Sequence, residues 1–127
     1  MKLSVKSPHS YEDWERGNNL IKEAFFSNSN YNPKQNIKIL TQGPYIIGSF
    51  ELSESNDIAI VNHFNIMEEY RNQGLGTIFL SKINQYLKYK KFKKVSFVSH
   101  PNLRDFYIKN GFNLIKEEEY LYFELFL

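Results

Sequence analysis

The chain has 127 residues, 42% hydrophobic and 17% aromatic, with a formal charge of +2 and no cysteine. That length suits one domain over residues 1–127 burying about two-thirds of its unfolded surface, and the missing cysteines exclude disulfides, thiolate metal sites and a cysteine nucleophile. The small charge does not suggest a nucleic-acid or membrane surface. With no apolar run near the ~18 residues of a membrane span and no leader-like apolar start, a cytoplasmic monomer or homodimer without metal is expected.

Residues 2–6 alternate Leu3 and Val5 with polar side chains and predict a short strand. Pro8-His9-Ser10 ends it, and Ser10 is the expected N-cap of a helix over residues 11–26, with Glu12 and Asp13 in the first turn. Trp14, Ile21, Ala24 and Phe25 would share one face of that helix. Gly17 weakens it by about 1 kcal/mol relative to alanine, which leaves room for a bend or break there. Asn, Ser and Pro dominate residues 27–36, which read as loop. Strands at 37–41 and 45–52 flank Gln42-Gly43-Pro44 as a hairpin, and a polar break at 53–57 leads to a third strand at 58–66. Within residues 75–87, Leu75, Phe79, Ile83 and Leu87 fall on one helical face, and Lys88, Lys90 and Lys91 complement the dipole at its end. A strand at 95–99 follows, then a short helix at 103–110, begun by His100-Pro101-Asn102 and closed by Gly111. Strands at 112–115 and 120–127 make a final hairpin, in which Leu121, Phe123, Leu125 and Leu127 share a face. Strands first, then two strand–helix–strand crossings, predict an α/β sheet of mixed direction with helices on both faces.

The chemistry-bearing stretch is Glu69-Tyr70-Arg71-Asn72-Gln73-Gly74-Leu75-Gly76-Thr77, a glycine-bearing loop between strand and helix. Glycine there permits unusual backbone angles and a close approach to the main chain. The first four N–H groups of a helix lack intrahelical acceptors and, with the dipole, attract anions. Arg71 adds a planar cation suited to phosphate oxygens. A phosphate-bearing ligand is therefore expected. The loop has neither the third glycine of a dinucleotide fingerprint nor the Gly-Lys-Ser/Thr ending of a P-loop.

Two spaced motifs, Arg71-x-x-Gly74-x-Gly76 and Asp105-Phe106-Tyr107-Ile108-Lys109-Asn110-Gly111-Phe112, together resemble the GNAT superfamily of N-acetyltransferases. The resemblance covers residues 58–127 well and the first half only in element order. It implies an α/β GNAT fold: a mixed, mostly antiparallel sheet of about six or seven strands with helices on both faces. It also implies that the strand before the loop and the strand before the second motif part to admit an acyl-thioester arm. Ile66 and Met67 would offer backbone groups to the pantetheine amides of acetyl-CoA, as an added strand would. Arg71 and the backbone N–H groups of Asn72, Gln73, Gly74, Leu75, Gly76 and Thr77 would hold the pyrophosphate. Tyr107 resembles the family's general acid. His100 stands where many members carry a cofactor-contacting asparagine. Asn102, two residues on and out of register, is a second cofactor-side candidate and the expected cap of the helix that follows.

The implied activity moves acetyl from acetyl-CoA directly to a primary amine of a small molecule or protein, with no covalent enzyme intermediate. The alternative is a GNAT-fold module that binds CoA without turnover, for which the departures argue. Where several members place a Glu or His base, the matching positions are Ile60 and Asn62, and neither can act as a base. His63 would point to the opposite face by the two-residue strand period, and Glu51, Glu68 and Glu69 are undistinguished alternatives. In this family the last hairpin borders the acceptor cleft, so Glu117-Glu118-Glu119 would favour cationic acceptors.

Overall fold

The computed structural model describes residues 2–25 and 36–127. Its seven strands are β1 (Leu3–Lys6), β2 (Ile37–Gln42), β3 (Tyr45–Ser55), β4 (Ile58–Ile66), β5 (Lys94–Ser99), β6 (Asn113–Glu117) and β7 (Leu121–Phe126). They form one sheet in the order β1-β2-β3-β4-β5-β7-β6, in which only β4 and β5 pair in parallel. Helix α1 (Tyr11–Phe25) joins β1 to β2 by way of residues 26–35, α2 (Leu75–Tyr89) joins β4 to β5, and α3 (Arg104–Lys109) follows β5. The mixed sheet and its helices match the expected fold class. The loop expected at 27–36 lies, except for Asn36, outside the described residues.

Helix α1 begins as its sequence dictates: Asp13 N–H donates to Ser10 Oγ at 3.2 Å, which satisfies one otherwise orphaned donor of the first turn. Helix α1 runs unbroken through Gly17. Gly17 serves packing instead. A Cβ there would lie 2.8 Å from Ile37 Cγ2 and 3.1 Å from Ile39 Cγ2, so its absence lets α1 settle directly on β2. Ile21, Ile37 and Ile39 form the small core on this face, with Trp14 packed at its margin.

The opposite face carries the larger core. Leu75, Phe79, Leu80, Ile83 and Leu87 of α2 and Tyr107 of α3 pack there with Phe50, Val61, Phe97 and Phe123 of the sheet. Leu121 and Phe123 are buried and Leu125 packs against the same core, in agreement with the face read from the last strand. The turn between β3 and β4 is tighter than the sequence suggested. Strand β3 runs on to Ser55, and Asn56, at φ 56°, takes the left-handed conformation that asparagine tolerates better than most residues.

Candidate active site

Strands β4 and β5 pair from Ile58↔Lys94 to Val61↔Phe97 and then stop. Beyond that point each strand stays with its outer neighbour: Asn65 and Ile66 of β4 pair with Ser49 and Gly48 of β3, while Val98 and Ser99 of β5 pair with Tyr122 and Leu121 of β7. Phe64 and Asn65 on one side and Val98 and Ser99 on the other line a cavity of about 340 Å³ between the parted strands. Arg71, His100, Asn102 and Tyr107 line the same cavity. A second cavity, of about 410 Å³, continues from it to the start of α2 and shares Phe64, Asn65, Arg71, Leu103 and Tyr107. Its wall contains Ile66, Asn72, Gly74, Leu75, Gly76 and Thr77, with two cations, Arg71 and Lys109, and no carboxylate among the described residues.

The loop geometry follows from its residue types. Gly74 is the N-cap of α2 at φ 76°, a conformation that costs a residue with a Cβ about 1–2 kcal/mol. Nothing lies within 4 Å of where its Cβ would be, so the glycine answers to the backbone and leaves open space beside it. No side chain caps this end of α2. Gly76 is there for packing, since its Cβ would come 3.0 Å from the Phe106 ring of α3. Arg71 Nε donates to the Ile66 carbonyl at 2.7 Å, which tethers the guanidinium across the mouth of the parted strands.

Tyr107 is 2% exposed, and its ring stacks on Phe123 with centroids 4.9 Å apart and meets Phe97 at 5.4 Å and Phe112 at 5.7 Å. Burial pushes its phenol well above the usual tyrosine range, so the hydroxyl stays protonated at neutral pH.

The family description "Acetyltransferase (GNAT) domain" matches residues 5–121. The chain belongs to this GNAT acetyltransferase family. No curated protein matches it by sequence. Among solved structures it is similar to PaiA N-acetyltransferase from Thermoplasma acidophilum in complex with coenzyme A, at TM-score 0.75, 17% identity and full coverage of both chains. It is also similar to an acyl-CoA N-acyltransferase from Pseudomonas aeruginosa, at TM-score 0.79, 13% identity and 97% coverage of each chain. N-acetylglutamate synthase from Neisseria gonorrhoeae, complexed with coenzyme A and N-acetyl-glutamate, superposes on the whole chain at TM-score 0.78 and 14% identity. The chain spans about a third of that synthase, 35% of its length. At these identities the likeness is one of fold.

Within this GNAT fold, nearly all the residues singled out in the sequence converge on the two cavities. Gln73 stands apart, exposed, with its Nε2 donating to the Glu69 carbonyl at 3.3 Å. Met67 gives its N–H to the Ile47 carbonyl at 2.8 Å, on the β3 side and away from the opening. It lines a surface cavity with Glu23, Glu68 and Glu69 that shares Asn65 and Arg71 with the first two. Asn102 is not the expected cap. It sits inside the 3₁₀ turn Pro101–Leu103, and the short helix that follows has Leu103 at its N-cap with no side-chain cap bond.

The sequence reading missed a bulge in β4. Ser49 pairs with Asn65 and Glu51 with Asn62, so two steps along β3 match three along β4. The extra residue breaks the two-residue period, and His63 takes φ 57°. Asn62 and His63 therefore both line a third cavity, of about 250 Å³, with Ala24, Phe25, Val98, Ser99, His100 and Tyr120. The expectation that His63 would face away is overturned. Buried Asn65 secures the bulge, its Nδ2 lying 3.0 Å from the His63 carbonyl, 3.0 Å from Ser49 Oγ and 3.1 Å from the Ser49 carbonyl. Ser49 Oγ in turn donates to the Gly17 carbonyl of α1 at 2.8 Å. Along β4 the alternation of buried Ala59 and Val61 gives way to two adjacent buried residues, Asn65 and Ile66.

The carboxylates of the last turn are largely engaged. Glu117 pairs with Arg104, and Glu118 lies 3.0 Å from Lys116 Nζ. It is Tyr120, not these acids, that lines the third cavity.

Proposed function

We propose that the protein transfers an acetyl group from acetyl-CoA to a primary amine of a small molecule or protein, with the cofactor laid along the first two cavities and the amine presented in the third. The observation that carries this reading is the end of β4–β5 pairing at Val61↔Phe97, with Tyr107 lining the opening that results. Acetyl-CoA, when bound, supplies an activated acyl carbon. The residues present fit it. Arg71 and the uncapped start of α2 offer a guanidinium and backbone N–H groups to the pyrophosphate, beside the open space at Gly74. The edge of β4 around Ile66 offers main-chain groups to amides, though the Ile66 carbonyl must exchange its Arg71 partner to do so.

In this reading Tyr107 supplies the proton to the departing sulfur, and its aromatic surround excludes water from the ring. His100 and Asn102 border the same opening from the β5 side and orient the thioester end. The Tyr107 phenol and the His100 imidazole on the same cavity support the enzyme over a module that binds CoA without turnover. The test is release of CoA thiol from acetyl-CoA on addition of primary amines. Amine-dependent release supports the reading, whereas tight acetyl-CoA binding with no release for any amine identifies the binding module.

A further inference from the structure

The third cavity has a lining that the cofactor reading leaves unused. Two aromatic pairs wall it, one from each side of the parted strands. Phe25 of α1 meets the His63 ring of β4 at 5.1 Å between centroids. Tyr120, just before β7, meets the His100 ring, just after β5, at 5.8 Å. Phe25 and Tyr120 are 40% and 42% exposed, so each has ring surface left to cover. Among the described residues no arginine, lysine or carboxylate lines the cavity. A carboxylate does stand beside one wall: Glu51 Oε2 lies 3.4 Å from His63 Nδ1, so an anionic group brought to that imidazole would meet a like charge. The volume, about 250 Å³, falls below the roughly 300–1,000 Å³ of sites for drug-sized ligands.

We propose that this cavity holds the tail of the acceptor, and that the tail is a single aromatic ring with no carboxylate, so that the acceptor is a small arylalkylamine. This rests on the acetyltransferase reading above. A ring between the two pairs gains stacked or edge-to-face contacts from both sides and brings no charge that needs a partner. An amino acid would instead bury its carboxylate with no cation to pair it. Ala24, Phe25, Val98, Ser99 and His100 also line the first cavity, with Tyr107, so the slot opens toward the cofactor. A ring seated here carries its amine, on a short alkyl arm, to the thioester end. There the amine nitrogen bonds the acetyl carbon, the C–S bond breaks, and one N–H proton ends on the CoA sulfur. Tyr120 is the specificity residue of this arrangement, because it lines this cavity and neither of the cofactor cavities.

The proposal is tested by kcat/KM for CoA thiol release at saturating acetyl-CoA with phenethylamine, ethylamine, phenylalanine, phenylalaninamide and a lysine-containing peptide. The Kd for acetyl-CoA is measured alongside. Phenethylamine should exceed ethylamine, which lacks only the ring, by about 10–100-fold, the worth of burying one aromatic group. Phenylalanine should fall at least about tenfold below phenethylamine for its unpaired carboxylate, and the neutral phenylalaninamide should recover most of that loss. Tyr120→Ala should lower the ratio of phenethylamine to ethylamine about tenfold, whereas Tyr120→Phe, which keeps the ring, should hold it. A wild-type ratio of phenethylamine to ethylamine below about threefold, far short of a buried ring's worth, overturns the proposal. So does a ratio unchanged in Tyr120→Ala, or a preference for phenylalanine or the lysine peptide over phenethylamine; either preference leaves the acetyltransferase reading standing. Failure to bind acetyl-CoA, or binding with no release for any of the five, refutes that reading, and the proposal falls with it.

Discussion

Replacing Tyr107 with phenylalanine separates proton delivery from packing. The ring contacts with Phe97, Phe106, Phe112 and Phe123, at centroid distances of 4.9 to 5.7 Å, are kept, and only the hydroxyl is lost. Stability should therefore change by less than about 1.5 kcal/mol, as for volume-conserving core changes. A positioned acid is worth roughly 10²–10⁴ in rate. Burial makes this phenol a weaker acid than an ordinary tyrosine, while thiols titrate near 8.5, so proton transfer to the sulfur runs uphill and the lower end applies. The expected loss in kcat is about 10²-fold, or about 2.7 kcal/mol of barrier. The assay is thiol release at saturating acetyl-CoA, with the CoA affinity measured separately by calorimetry. If kcat stays within about twofold, well short of any acid's contribution, Tyr107 is a packing residue. A CoA affinity that falls with the rate would mean that the cofactor groove itself was damaged.

Gly48→Ala would put a Cβ against the Asn65 carbonyl oxygen and 3.0 Å from Leu40 Cδ1, forcing β3 from β4, and should cost about 3 kcal/mol by urea unfolding. Asn65→Leu removes the donor shared by Ser49 and His63 and should cost about 1–3 kcal/mol in the same assay, with loss of any amine turnover that depends on the bulge. Tyr107 also sets an alkaline limit. Its folded-state pKa is raised, so above about pH 10 the unfolded chain releases this proton while the folded chain retains it, and stability falls as pH rises. Tyr107→Phe should remove that contribution, seen as a smaller drop in urea midpoint between about pH 8 and pH 11, across the unfolded tyrosine pKa of ~10.

Much of this arrangement is legible in the sequence because local patterns and global fold agree. The helix of Leu75, Phe79, Ile83 and Leu87 buries the face its period predicts, and Ser10 caps α1 as its residue type predicts. Gly74 is a glycine because the chain turns left-handed there, which the loop before a helix signals. What a single sequence hides is pairing. The end of β4–β5 pairing depends on two strands separated by a whole helix. The bulge at His63 depends on register against β3, and a period-two reading of β4 alone sends that histidine to the wrong side. Gly17 shows the same limit from another direction. Propensity predicts a weak point in α1, whereas close packing on Ile37 and Ile39 explains the residue and keeps the helix whole.

The central claim, an acyl-CoA site along the Arg71–Thr77 loop and the parted strands, is tested most directly by acetyl-CoA binding to wild type and to Arg71→Ala/Gly74→Asp. Aspartate tolerates the left-handed backbone of position 74 and would place a carboxylate in the open space beside α2. Ligand bound only to the folded state adds RT ln(1 + [L]/Kd), about 2.7 kcal/mol at ~100 times Kd. Wild type should show that stabilisation as a rise in Tm, and the double variant, still folded, should show none. An equal rise in both proteins would place the cofactor elsewhere and contradict the account.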